Sequence, residues 1–321
     1  MLVLALLLLS SSWNVQANGK KARAGNRSDA IIIPSAVINY VMPNLMTGHG
    51  EYVGPADIWN RNRGFLVQST NPESYNLNFP TTGAHNLYFY LLISGVDINE
   101  LTWEPVTLGG ITATVANVEY LDHWAPWNNH WAPWNNGKVL ARVMLTGPEA
   151  RNQWNNPNPN RIAKPQLPQT FELVGRDINT GDEVVKYGFV LRQWFVSRGG
   201  PPGFSLSNQT TWCNSLGYRM PRVRDLTNAV CSGRGSGSWC QGAVGATPSS
   251  SGNHYQRHIG AGFFTEWGNL GLYLTYTGFI DHVYWTSDAS GSNQLRVAVS
   301  TGAVLTRDDG NFFRRGVCTV P

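Results

Sequence analysis

Charge is scarce in this chain. Asp, Glu, Lys and Arg make up only 14% of its 321 residues, and the excess of 24 basic over 20 acidic side chains is small. Such a balance excludes a strongly basic nucleic-acid surface, and no helix-turn-helix, zinc-finger or RNA-binding signature is present. Lysine is missing altogether from residues 203–321, which hold nine Arg. Acids there are few and dispersed: Asp225, Glu266, Asp281, Asp288, Asp308 and Asp309. HExxH, GxSxG and CxxC spacings are absent, so the sequence identifies no catalytic residue, no metal ligands and no cofactor. His254 and His258 have i, i+4 spacing but lack the intervening Glu, and read as surface histidines. Apart from Leu2–Leu9 no apolar run stands out, and that one is too short for a permanent membrane anchor. What is abundant is Gly, with 34 residues, and Trp, with 13, a loop-rich and β-leaning composition.

Residues 1–17 read as a secretory signal peptide, with Leu2–Leu9 as its apolar core and Val15-Gln16-Ala17 as the cleavage site. Residues 18–35 are a polar tail. The mature chain is expected to be exported without a transmembrane segment: secreted or cell-surface associated at the outer membrane, and periplasmic if not released. The sequence sets no oligomeric state. The four cysteines, Cys213, Cys231, Cys240 and Cys318, all lie in the last third. An even count in an exported chain implies two disulfides, with three connectivities open.

From Ala30 to Arg198 short apolar runs alternate with turn residues and no helical period persists. Strands are expected at Ala36–Met42, Gly64–Gln68, Asn86–Ser94, Glu100–Val106, Ile111–Tyr120, Lys138–Thr146, Gln169–Arg176 and Glu183–Val196. The segment 171–183 is the clearest hairpin, turning at Ile178-Asn179-Thr180-Gly181-Asp182. This spacing predicts an immunoglobulin-like β-sandwich over residues 36–199. Within it His123–Asn129 is repeated at once as His130–Asn136, giving four tryptophans, Trp124, Trp127, Trp131 and Trp134, in one loop. Their rings are a secondary candidate surface for sugar or membrane. A Pro- and Asn-rich stretch, 153–169, reads as a stiff extended connection. Gly199-Gly200-Pro201-Pro202-Gly203 marks the domain boundary.

Beyond it the pattern changes. Trp212, Cys213 and Leu216 share one helical face, with Ser207 or Asn208 as N-cap and Gly217 as a left-handed C-cap. Pro221 precedes a second helical run, Val223–Val230. Leu295–Ser300 and Ala303–Thr306 flank Thr301-Gly302 as a hairpin, and Arg314–Val320 is the closing strand. Tyr284 and Trp285, adjacent on a strand, are expected to alternate between core and surface.

The order helix Cys, "MPRVRDL", "YWTSD", hairpin and last-strand Cys resembles C-type-lectin-like domains. More specifically, Trp212–Val230, Cys240–Pro248 and His258–Gly268 resemble the C-terminal adhesion domain of invasin E-type surface proteins, the intimin/invasin-like inverse autotransporters of enteric bacteria. "TFELVGRDINTGDEVVKYGFVLRQWFVSRG" resembles the segment that precedes that domain. The resemblance implies a mainly β chain, α+β at its C-terminus, in which a disulfide-bridged lectin-like domain at 200–321 follows the sandwich. It also implies the pairs Cys213–Cys318 and Cys231–Cys240.

The implied function is binding of a host-cell surface ligand, protein or glycan, by a lectin-like tip, with no enzymatic activity. The alternative is a secreted carbohydrate-binding protein without a cell-surface anchor. Calcium-dependent lectins resemble one another in an EPN or QPD loop motif and a WND strand motif; this sequence has neither, and "WTSD" occupies the place of the strand motif with Asp288 as its only acid, so the binding is expected to be calcium-independent. Formylglycine-generating oxidases share the lectin-like fold but need reactive thiols. Contact residues are sought among aromatics and arginines. Tyr273, Tyr276 and Arg314 are the leading candidates. They are taken from a set that also includes the loop His254–Arg257, Trp267, Phe279, His282, Tyr284, Phe312, Phe313 and Arg315. Phe263, Phe264 and Trp285 are assigned to the core.

Overall fold

The computed structural model describes residues 35–120, 133–200, 203–306 and 314–321. The expected signal peptide, the expected polar tail up to residue 34, most of the duplicated loop and Phe312–Phe313 lie outside them. Eleven strands precede residue 192: β1 (Val37–Met42), β2 (Trp59–Asn60), β3 (Gly64–Leu66), β4 (Thr82–Ala84), β5 (Tyr88–Ser94), β6 (Leu101–Trp103), β7 (Val106–Leu108), β8 (Ile111–Glu119), β9 (Val139–Thr146), β10 (Gln169–Asp177) and β11 (Glu183–Leu191). Five more follow: β12 (Gln193–Arg198), β13 (Val283–Ser290), β14 (Asn293–Ala298), β15 (Val304–Leu305) and β16 (Gly316–Val320).

Alternation of apolar residues builds the sandwich. Strand β10 turns Phe171 and Leu173 inward and β11 answers with Tyr187, Phe189 and Leu191, all buried. Phe171 stacks on Phe189 across the pair at 5.2 Å. The hairpin closes where the Asp177 carboxylate accepts from the backbone N–H of Asn179 and Thr180, at 2.7 and 2.9 Å. One sheet runs β11-β10-β6; the other runs β2-β3-β1-β5-β9-β8-β7 and is antiparallel throughout. Phe89 of β5 meets Tyr187 and Phe189 of the opposite sheet at 6.3 and 6.0 Å, which places the sandwich core between them.

The expected strand Glu183–Val196 is two strands. The chain leaves the β10–β11 pair at Arg192, whose N–H donates to Thr81 O at 2.7 Å, and β12 joins a third sheet of order β16-β12-β4. Here β12 pairs antiparallel with the closing strand β16 and parallel with β4, so one sheet is assembled from residues 82–84, 193–198 and 316–320. The backbone hydrogen bonds of that sheet cross the Gly199–Gly203 segment. Residues Ser35–Pro321 form one compact unit.

Among the described residues the C-terminal region adds three α-helices, α1 (Leu206–Leu216), α2 (Val223–Leu226) and α3 (Phe263–Trp267), and the sheet β13-β14-β15. Helix α1 is capped by Ser205, not by the expected Ser207 or Asn208: its hydroxyl accepts from Asn208 N–H at 3.3 Å. Gly217 ends the helix at φ 85°, a left-handed conformation that glycine adopts without strain. Trp212, Cys213 and Leu216 are fully buried on the inward face, as their spacing predicts. The second run is shorter than Val223–Val230. After Leu226 tertiary partners replace helical bonds: Asn228 N–H donates to Thr265 Oγ1 and Val230 N–H to Gly252 O. Cys213–Cys318 ties α1 to β16, and Cys231–Cys240 closes a local loop, the connectivity that the resemblance implies. In the chain-entropy account, a bridge of sequence separation 105 stabilises by about 4–5 kcal/mol.

Candidate functional site

Several of the aromatic and arginine residues singled out by sequence, Arg257, Trp267 and Tyr273 among them, pack on the sandwich and not in solvent. Arg257 is fully buried: its guanidinium lies 4.3 Å from the ring centre of Trp59 and donates to Asn44 O at 3.1 Å. Burial holds its pKa below the usual guanidinium range. Trp267 is fully buried too; its indole N–H donates to Thr82 O at 3.0 Å and its ring meets Phe79 at 4.9 Å. Between them Gly268 sits at φ 74°, where a Cβ would come within 2.2 Å of Arg257 Nη1.

Tyr273 is 1% exposed; its hydroxyl accepts from Asn44 N–H and donates to Trp267 O, at 2.8 and 3.3 Å. The expectation that it contacts a ligand is therefore corrected: it is a core residue. Arg314 is likewise buried, at 3%, and its backbone pairs with Phe204. Tyr276 ends the 3-10 helix Leu270–Tyr276, and its side chain lies outside the described set. His254, expected at the surface, is also buried, beside the Tyr52 ring at 5.8 Å. Phe279 and Tyr284 are buried; His282 is half-buried.

Phe263, Phe264 and Trp285 are in the core as assigned. Tyr284 and Trp285 are both buried, so the expected alternation fails. Strand β13 is covered on both faces: Phe264 packs on Tyr284 at 5.5 Å, while the Trp285 indole donates to Phe204 O at 2.7 Å and faces Arg296.

A residue missed in the sequence anchors this contact. The carboxylate of Glu266, fully buried on α3, accepts from the N–H and hydroxyl groups of both Thr81 and Thr82 and from Gly260 N–H. Burial pushes its pKa up, and the hydrogen bonds oppose that shift. Phe263 stacks on Phe195 at 4.1 Å beside it. The 153–169 stretch closes the same side: Trp212 Nε1 donates to Gln153 O and Tyr218 OH to Ala163 O.

The outer face offers a different surface. Two adjoining grooves of about 390 and 580 Å³ share Arg222 and Ser287 as walls. The first runs along α1 at Leu206, Thr210 and Asn214 to Arg219, Met220 and Gln294; the second continues to Arg224, Gly242, Val244, Asp288 and Ala289. In Arg222-Val223-Arg224 the valine is fully buried and both arginines are exposed. Val244 is 68% exposed.

The groove floor is fixed by hydrogen bonds between "MPRVRDL" and "YWTSD". Ser287 N–H donates to Pro221 O and Val223 N–H to the Asp288 carboxylate, both at 2.7 Å. Asp225 accepts from Arg222 N–H at 2.7 Å, capping α2, and pairs with Arg219 at 2.6 Å. Both acids are thereby engaged by the protein itself. No group of three His, Cys, Asp or Glu side chains gathers among the described residues. All four cysteines are bridged, which removes the thiol chemistry that an oxidase on this scaffold needs. Of the four tryptophans of the duplicated loop, Trp134 alone has a described side chain; it is exposed at 42%.

The signal for the groove was the arginine bias, and the structure divides it. Arg257, Arg296 and Arg314 are buried, the guanidinium groups of the first two over the rings of Trp59 and Trp285; Arg222 and Arg224 reach solvent.

No family model matches the chain. Over 142 residues it is 30% identical to a protein of Escherichia coli (strain K12) named inverse autotransporter adhesin YeeJ, a match that takes in 41% of this chain and 5% of that protein. A solved structure titled as invasin, a bacterial integrin-binding protein, aligns with a TM-score of 0.46 and 13% identity, over 89% of this chain and 39% of that one. The chain thus spans a small part of either protein's length, and is similar to a segment of an adhesin.

Proposed function

We propose that this chain is an adhesin-type binding module that recognises a host-cell surface ligand through the outer face of its C-terminal region, without calcium and without catalysis. The observation that carries the reading is the groove around Arg222 and Arg224. It is the arginine-lined concavity described above; hydrogen bonds fix its floor, and Cys213–Cys318 ties α1, along which the first groove runs, to β16. Arginine-rich surfaces supported by a fixed scaffold favour recognition. Calcium independence is supported by the acids. A calcium ion takes six to eight oxygen ligands, whereas Asp288 and Asp225 are spent on backbone N–H groups and on Arg219.

The test is binding of the purified chain to cultured epithelial cells. Saturable binding, unchanged when EDTA replaces calcium, is expected. Binding that EDTA abolishes would overturn the calcium-independent reading, and an absence of saturable binding would overturn the adhesin reading. A Trp134→Ala variant should bind as the parent does; its failure alone would move the site to the tryptophan loop.

A further inference from the structure

We infer that the partner presents an acidic peptide segment to the Arg222–Arg224 groove, its carboxylates meeting the guanidinium groups and its aliphatic side chains meeting the groove wall. This rests on the binding function proposed above and names the chemistry of the ligand. Three observations favour a peptide. First, the exposed cations of the groove are arginines, whose planar forks grip carboxylates two bonds at a time. Second, the side chains lining both pockets are polar or apolar without a ring, with Leu206, Met220, Val244 and Ala289 as the apolar ones. Sugar faces stack on rings, whereas aliphatic side chains need only an aliphatic wall. Third, the two pockets adjoin at Arg222 and Ser287, so together they offer one continuous surface to an extended segment.

Charge is complementary to such a ligand. Asp288 is the one acid among the lining residues, and its carboxylate already accepts from Val223 N–H. Asp225, the acid next to Arg224 in sequence, is paired with Arg219. Arg222 and Arg224 therefore dominate the potential at the groove, and salt should weaken the interaction because both lie in solvent.

The experiment uses the whole chain and two soluble probes, poly-L-glutamate and heparin, with R222E/R224E and R222K/R224K variants. The parent is expected to bind immobilised poly-L-glutamate, and R222E/R224E to bind it at least tenfold more weakly. R222K/R224K should fall in between, since lysine keeps the charge and loses the fork. Equal binding of poly-L-glutamate by the parent and R222E/R224E would overturn the inference. On cells, protease treatment should remove the sites while heparin lyase leaves them; the reverse result would assign the groove to a sulfated glycan and overturn it as well. The probe assay is independent of cells. A chain that binds poly-L-glutamate through Arg222 and Arg224 but never binds cells would sink the adhesin reading and leave the groove chemistry standing. Cell binding that R222E/R224E does not weaken would do the opposite.

Discussion

Two faces of the C-terminal region carry arginine, and they have opposite fates. On the inner face Arg257, Trp267, Tyr255 and Tyr273 are buried against residues of the sandwich, and the Glu266 carboxylate is surrounded by donors from Thr81, Thr82 and Gly260. On the outer face Arg222 and Arg224 stand in solvent beside Val244. Large aromatics with arginine are the composition of an interface, but composition does not say whose interface it is. Here the chain fills it with itself, and the outer groove that is left for a partner is lined by polar, aliphatic and cationic side chains.

The sharpest way to break this comparison is to cut into the inner face. Trp267→Ala removes a fully buried indole from between α3 and the sandwich, and core truncations of this size cost about 3–5 kcal/mol. Urea unfolding followed by tryptophan fluorescence and by far-UV circular dichroism should show the midpoint falling for both probes together. Sandwich and C-terminal region share a sheet, so they should unfold as one. Two separated transitions in the parent would refute the picture of one cooperative unit.

Much of the fold was legible. All eight expected strand regions hold strands, because one-face burial writes a period of two into residues such as Phe171 and Leu173 or Tyr187 and Phe189. Strand β4, three residues long, had no such pattern, and its parallel pairing with β12 comes from tertiary placement. The inner face was illegible for a related reason. Its cover is distant in sequence: Glu266 meets Thr81 across 185 residues, and Tyr273 meets Asn44 across 229. A local reading recognises that Trp267 and Arg257 belong to a contact surface and has no means of seeing what already occupies it. The outer groove was missed because its cue, arginine without lysine, is shared with the buried arginines.

A smaller effect is expected from protonation. His254 is buried among Tyr52, Glu51 and Arg234, the last two paired at 2.6 Å. Burial lowers its pKa below 6.5, Arg234 adds to the shift and Glu51 opposes it. The folded chain therefore binds this proton less readily than the unfolded chain. The contribution of His254 to stability is present above pH 6.5 and is lost as pH falls through the lowered value. His254→Asn should reduce the loss of stability between pH 7.5 and 5.5. His49, whose pKa burial also lowers, and Glu266, whose pKa burial raises, shape the slope of both proteins and cancel in the difference. An unchanged slope in the variant would mean that His254 is not held neutral by its surroundings.

The smallest effect on stability is the most telling for function. Arg222 and Arg224 are exposed, and the cap of α2 is made by the Asp225 carboxylate on the Arg222 backbone N–H, a bond that changing the Arg222 side chain leaves in place. R222E/R224E should therefore unfold within about 0.5 kcal/mol of the parent, as surface substitutions do, with the same m-value. The contrast is in the pairing of effects. Trp267→Ala changes stability because the inner face is occupied, whereas R222E/R224E changes binding and leaves stability alone because the outer face is not. A loss well above 0.5 kcal/mol in R222E/R224E would mean that these arginines brace the fold, and the two faces would then differ in exposure but not in role.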